Sequence, residues 1–230
     1  MYGLGELLSD VRSLINCTLQ TVIPLKNRAR ESKDCVLLMK PKEKVGKTDR
    51  KHDALILIDV INDFAFPKAG ALLRYALPAA EHIAELKERA RRARVPAIYA
   101  NDNFGQWRSD FRQQIEHCLE KRRRGRKIVE LLRPAEEDYF VLKPMHSGFF
   151  STTLEVLLER LEVQRLILVG FAADICVLYT ANDAYMRDFN VAVPSDCVAS
   201  ETKRQYRFAL EHIDQRLKAD TRTSDKVQFR

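Results

Sequence analysis

Three apolar runs lead to side chains that could do chemistry together. "ALILID" (54–59) ends on Asp59, "YFVLK" (139–143) ends on Lys143, and "RLILVG" (165–170) leads through "FAAD" to Cys176 at the start of a helical pattern. Cysteine attacks as its thiolate, and both a nearby ammonium and a helix N-terminus stabilise that anion. A carboxylate beside it can take the thiol proton and later return it to a leaving amine. Cys176 is therefore the candidate nucleophile, Asp59 the general acid/base and Lys143 the electrostatic partner. Each alone has a plainer reading. Free cysteine is among the most buried side chains, an aspartate after a strand can cap a turn, and a strand-end lysine can reach water. Their shared position at strand ends favours the functional reading. Cys197 ends another apolar run without such company and reads as core, while His117 and Cys118 in "IEHCLE" read as ordinary helix positions.

A parallel sheet is what could bring the three together. From Asp53 onward, short runs rich in Val, Ile and Leu alternate with helical patterns: the three above, "PAIYA" (96–100) and "NVAVPSD" (190–196). That alternation predicts βαβ units, five strands, and a three-layer αβα fold around a mainly parallel, Rossmann-like sheet. Between the first two strands, Ile83, Leu86 and Ala90 share one helical face, with Glu85, Lys87, Glu88, Arg91 and Arg92 opposite. A helix from about Thr152 carries Leu154, Leu157, Leu158 and Leu161 as a stripe. In such a sheet the ligand crevice lies beyond the carboxyl ends of the strands, where Asp59, Lys143 and Cys176 fall.

Composition narrows the class. The chain has 230 residues, 46% of them apolar, enough for one sizeable core. No apolar run approaches the roughly 20 residues of a membrane span, and Glu6 and Asp10 stand where a secretory signal would be basic, so a cytoplasmic protein with no membrane partner is expected. Five widely spaced cysteines without a C-x-x-C pair predict free thiols. The +7 charge is concentrated outside the strand pattern. Residues 1–52 hold eleven Lys/Arg against six Asp/Glu, and "EKRRRGRK" (120–127) precedes an apolar stretch. Neither has aromatic interleaving, so a small-molecule substrate is expected rather than nucleic acid. The chain divides into a basic extension and linker over 1–52, a domain over 53–217 and a polar tail over 218–230.

"LILIDVINDF" (55–64), "VLKPMHSGFFSTTL" (141–154) and "LILVGFAADICVLYTANDAYMRDFNVAVPSDCVAS" (166–200) closely resemble the isochorismatase-like cysteine hydrolases, which include nicotinamidases, N-carbamoylsarcosine amidase and ureidoacrylate amidohydrolase. The likeness spans about residues 53–215 in order and spacing. It implies the same three-layer fold and places the family's triad on Asp59, Lys143 and Cys176. It also implies a cis peptide before Ala172, with backbone N–H groups of Ala172 and Cys176 as an oxyanion hole. Phe64 and Phe150 match aromatics that pack on substrate in relatives. A homo-oligomer, dimer or tetramer, is the expected assembly.

The departures from the family pattern matter as much. Nicotinamidases hold a metal through an Asp-x-His pair and further histidines; in "YANDNFGQWRSDF" (99–111) Asp102 is retained, but Phe104 replaces the first histidine. One remaining carboxylate cannot build a tight transition-metal site, so no metal or other cofactor is expected. Phe104 and Trp107 occupy that region and could narrow the crevice, and Asn101, Asp102 and Asn103 could bond a polar substrate or form a turn. Isochorismatases proper cleave a vinyl ether without a nucleophilic cysteine, so Cys176 points to amide, ureide or carbamoyl chemistry. An enol-ether hydrolase and a catalytically silent binding protein are the alternatives.

Overall fold

The computed structural model describes residues 52–67, 69–103 and 110–230. The extension up to residue 51, and with it Phe104 and Trp107, lies outside the described residues.

Six strands build one sheet. They are β1 (His52–Ile58), β2 (Ala97–Asp102), β3 (Tyr139–Lys143), β4 (Val163–Phe171), β5 (Asn190–Ala192) and β6 (Val198–Ala199). The order is β3-β2-β1-β4-β5, with β6 paired to the end of β4. Every pairing is parallel. β1 lies centrally, and from Ala54 to Ile58 every residue is fully buried. Its side chains divide by alternation: Leu55 and Leu57 enter one core, Ala54, Ile56 and Ile58 the other. A strand covered on both faces needs apolar residues on both, and this is why it reads as a continuous run.

Helices cover each face. α1 (Ala69–Arg92), α2 (Phe111–Leu119) and α3 (Arg126–Leu131) supply Ile83, Leu86, Ala90, Phe111 and Ile128 to the first core. α4 (Leu154–Arg160), α5 (Leu178–Met186) and α6 (Lys203–Gln215) supply Leu154, Leu158, Ala181, Ala209 and Ile213 to the second. The three-layer αβα expectation therefore holds. Among the described residues, no helix is long and apolar enough to cross a membrane.

Two local expectations are corrected. The run 190–196 is not one strand: β5 stops at Ala192, a 3-10 turn covers Ser195–Cys197, and β6 follows. Pro194 has no N–H for a ladder, and the Val193 N–H donates instead to the Asp220 carbonyl at 2.8 Å. Residues 218–230 are likewise not a free tail. Asp220 bridges Ala192 in parallel, Val227 is buried, and the Arg230 N–H donates to Asp53 Oδ2 at 2.8 Å.

Candidate active site

Asp59 follows β1 directly. Its N–H still extends the ladder by donating to the Ala100 carbonyl at 3.0 Å, but its φ is 54°. Aspartate tolerates this left-handed conformation better than most residues. The side chain is caught on both sides: Oδ1 accepts from the Asp102 N–H at 2.8 Å, and Oδ2 lies 2.9 Å from Lys143 Nζ. The following turn is clamped by Asn101, fully buried, whose Nδ2 donates to the Ile61 carbonyl at 2.7 Å while its Oδ1 accepts from the Ile61 N–H at 3.2 Å. Asn101 is thus committed to holding the Asp59 turn.

Lys143 closes β3 and has no exposed surface. A buried ammonium needs partners for its protons, and Nζ has three: Asp59, the Met145 carbonyl at 3.2 Å and Cys176 Sγ at 3.7 Å. Burial works against its charge, but the Asp59 and Asp102 carboxylates outweigh it and hold its pKa above the ordinary lysine value.

Cys176 sits in a π-helical turn, Ala173–Val177, that runs into α5. The Ala172 carbonyl accepts from both the Ile175 and Val177 N–H groups, at 2.9 and 3.4 Å, and the wide turn inserts an extra residue of the kind found at functional sites. Gly170 is needed just before it, where φ is 128° and an added Cβ would lie 2.0 Å from the Ile58 carbonyl oxygen. The turn is tied to the Ser147–Phe150 loop through Thr180: its hydroxyl donates to the Cys176 carbonyl at 2.7 Å and accepts from the Gly148 N–H at 3.0 Å.

The thiol does not rest as a thiolate. Burial pushes its pKa up, the Asp59 carboxylate pushes it further, and Lys143 only partly opposes them. Lys143 does favour the anion, as expected, but burial and Asp59 outweigh it, and the expected help from a helix N-terminus is corrected: Cys176 lies within the turn, not at a helix's first position, and only 9% of it is exposed. Lys143 Nζ contacts both groups, so the arrangement is a neutral thiol clustered with a carboxylate that is the candidate acceptor of its proton.

The expected cis bond before Ala172 is also corrected. No peptide bond among the described residues is cis, and the chain turns instead at Ala172, whose φ and ψ are 55° and 60°. A single left-handed residue makes the bend at lower cost than a cis non-proline bond, which takes about 3 kcal/mol. The reason for assigning Ala172 to an oxyanion hole falls away with that bond.

The proposed pocket walls divide. Asp102 belongs to the site through its N–H on Asp59 and its charge near Lys143. Phe64 has no exposed surface and packs 6.0 Å from the Phe171 ring and 6.1 Å from the Phe66 ring, so it is a core side chain. Phe150 is 55% exposed. Cys118 and Cys197 are buried core residues, and His117 bonds Asp63 at 3.0 Å on the surface. Sequence reasoning did not single out Thr180 or Gln114. Gln114 lies on the buried face of α2, donates to the Asp102 carbonyl at 3.2 Å and keeps a buried Oε1 without a partner among the described residues. A glutamine at a helix position spaced with Phe111 and Cys118 was the available signal. Among the described residues, no cluster of three or more His, Cys, Asp or Glu is placed to hold a metal.

A buried Asp-Lys-Cys set at the carboxyl ends of a parallel αβα sheet defines a class of cysteine-bearing α/β domain. A family model described as the isochorismatase domain matches residues 53–225, and the chain belongs to that family. It is 38% identical over 183 residues to an uncharacterized isochorismatase family protein, YaaI, of Bacillus subtilis, covering 80% of this chain and 98% of the relative. Ureidoacrylate amidohydrolase RutB of Acinetobacter baylyi is 30% identical over a shorter span, 37% of this chain and 36% of the relative. The crystal structure of N-carbamoylsarcosine amidase from Thermoplasma acidophilum aligns with a TM-score of 0.61 at 25% identity, covering 77% of this chain and 99% of that one.

Proposed function

We propose that this protein is a cysteine amidohydrolase acting on a small carboxamide, ureide or carbamoyl compound. The observation that carries the reading is the buried ammonium of Lys143, 2.9 Å from Asp59 and 3.7 Å from Cys176. Asp59 takes the Cys176 proton as sulfur attacks the carbonyl carbon. Lys143, already charged, stabilises the sulfur as its proton leaves. The carbonyl oxygen becomes an oxyanion for which the Cys176 N–H is the candidate donor. Asp59 then gives the proton to the departing nitrogen, the C–N bond breaks, and ammonia or an amine leaves a thioester. Water, deprotonated by Asp59, attacks that thioester; the acid is released and the thiol regains its proton. Relatives named as an N-carbamoylsarcosine amidase and a ureidoacrylate amidohydrolase support the substrate class.

The test is an ammonia-release screen of purified full-length protein over amides, ureides and carbamoyl amino acids, with and without chelator and in the Cys176→Ala variant. Turnover that resists chelator and collapses in the variant is the expected result. Ammonia release that persists in Cys176→Ala, or is abolished by chelator, overturns the mechanism. An enol-ether hydrolase would retain vinyl-ether cleavage in that variant, and a silent binding protein would turn over neither class.

A further inference from the structure

A cavity of about 510 Å3 lies between α1 and the segment from Ser195 to Arg207, and Asp59, Lys143 and Cys176 are not among its lining residues. Its size suits a small molecule. Tyr75, Pro78, Ala79, Val198, Ala199 and the Tyr206 ring give it an apolar wall, and the Tyr206 hydroxyl is already used, donating to the Ser195 carbonyl at 2.9 Å.

Its charge is one-sided. Lys203 and Arg207, one helical turn apart on α6, both line it and are exposed, and neither forms an ion pair with a described residue. The carboxylate of the wall, Asp196, is occupied: it accepts from the Ser224 N–H at 2.7 Å and the Ser224 hydroxyl at 2.8 Å, and His82 stands 3.7 Å away. α6 begins here behind its cap, Thr202, and its first turn holds no acidic residue. Cations at the positive end of a helix run against the dipole, a local conflict that a bound anion would relieve.

A further observation is independent of charge. Ser200 lines the same cavity, is 1% exposed, and its hydroxyl has no hydrogen-bond partner among the described residues. Buried hydroxyls are nearly always paired, so an unpaired one in a cavity wall marks the place of an absent partner.

We propose that this cavity is a second ligand site for a small planar acid, a carboxylate on an apolar or aromatic ring. Lys203, Arg207 and the Ser200 hydroxyl take the carboxylate, and the apolar wall takes the ring. The site adjoins the nucleophile's supports: β6 pairs with Gly170 and Phe171, and α6 packs against the turn that carries Cys176.

Calorimetric titration of purified full-length protein with benzoate, and with benzamide as its neutral counterpart, tests the proposal without reference to any hydrolytic activity. Saturable benzoate binding, absent for benzamide, kept in Cys176→Ala and weakened at least about tenfold in Arg207→Glu is expected, since a charge-assisted pair is exchanged for repulsion. Ser200→Ala is expected to weaken benzoate binding while raising the thermal midpoint of the unliganded protein, because the unpaired hydroxyl is removed. No saturable binding at millimolar benzoate, equal binding of benzamide, loss of binding in Cys176→Ala, or undiminished binding in a folded Arg207→Glu protein would each overturn it.

Discussion

The sheet holds a buried ion pair at each end, and the two are finished differently. At the amino end, Asp53 and Arg165 form a closed pair. Arg165 Nε donates to Asp53 Oδ1 at 2.9 Å, its Nη2 reaches Oδ2 at 2.6 Å and the Gln228 carbonyl at 2.5 Å, and the Arg230 N–H adds a bond to Oδ2. Planar guanidinium against carboxylate is a geometry that fixes both groups. At the carboxyl end, Asp59 and Lys143 also pair, but the ammonium spends one proton on a neutral thiol, on which the charge of the carboxylate also acts. The first pair has nowhere to send a proton. The second gathers a carboxylate, an ammonium and a thiol in one cluster, held by a lysine whose charge is secure.

The largest expected contrast comes from Cys176→Ala. If the carboxyl-end cluster is the catalytic one, ammonia release falls by several orders of magnitude, because the covalent route is lost outright. The thermal midpoint should change little, since the variant removes one small group and leaves the Asp59–Lys143 pair intact. A variant that loses stability and activity together would assign the thiol to packing.

Asp53→Ala should behave in the opposite way. It strands Arg165, whose side chain is 15% exposed, and frees Arg230 from its carboxylate, so stability should fall by about 3–5 kcal/mol. Turnover per folded molecule should be kept, as measured by active-site titration alongside denaturant melts. A folded Asp53→Ala protein without turnover would show that the two ends are not independent.

Much of this contrast was legible in the sequence, and the reasons differ by residue. Asp59 and Lys143 were readable because a parallel sheet buries its strands as continuous apolar runs, so the residue that ends each run stands out, and Cys176 because it follows such a run across a short loop into a helical pattern. The role of Asn101 was not readable, because a strand-end asparagine bonds a substrate or a loop with equal ease until the Ile61 backbone is placed beside it. β6 was missed because it is two residues long and follows Pro194, where local pattern has no period to show. The thiol's protonation state was misread because sequence supplies the neighbouring lysine but not the burial that outweighs it. Arg165 and Arg230 gave no local sign of converging on Asp53; 112 residues separate Arg165 from it and 177 separate Arg230.

A smaller effect is expected from pH. Cys118 is pushed up to about 12 by burial, reinforced by Asp63, and Cys176 and Cys197 are also pushed up, by burial first. Lys143 is raised as well. In each case the folded state holds its proton more tightly than the unfolded chain does. Their stabilising contribution is therefore fully present below the unfolded values, about 8.5 for thiols and about 10.4 for lysine, and is lost as pH rises through the raised folded values. Denaturant midpoints should fall steadily from about pH 8.5 upward, and the fall should be shallower in Cys176→Ala. Stability that rises over this window would contradict the proton accounting.

The smallest expected effect is the most specific to the carboxyl-end cluster, and it runs against the usual link between a base and its nucleophile. Asp59 is one of the forces raising the Cys176 pKa, while Lys143 lowers it. Asp59→Asn removes the opposing charge, keeps the side chain's shape and leaves Lys143 beside the sulfur. The thiolate fraction at neutral pH should therefore rise, and iodoacetamide should label Cys176 several-fold faster than in the parent protein, although turnover is abolished for want of a base. Lys143→Met should slow labelling, because the carboxylate then acts on the thiol unopposed. Cys118 and Cys197, 1% and 0% exposed, serve as internal references that neither variant should change. Mass-spectrometric rates in which Asp59→Asn labels more slowly than the parent would mean that the carboxylate promotes the thiolate in the resting protein, and the neutral-thiol account of the site would have to be abandoned.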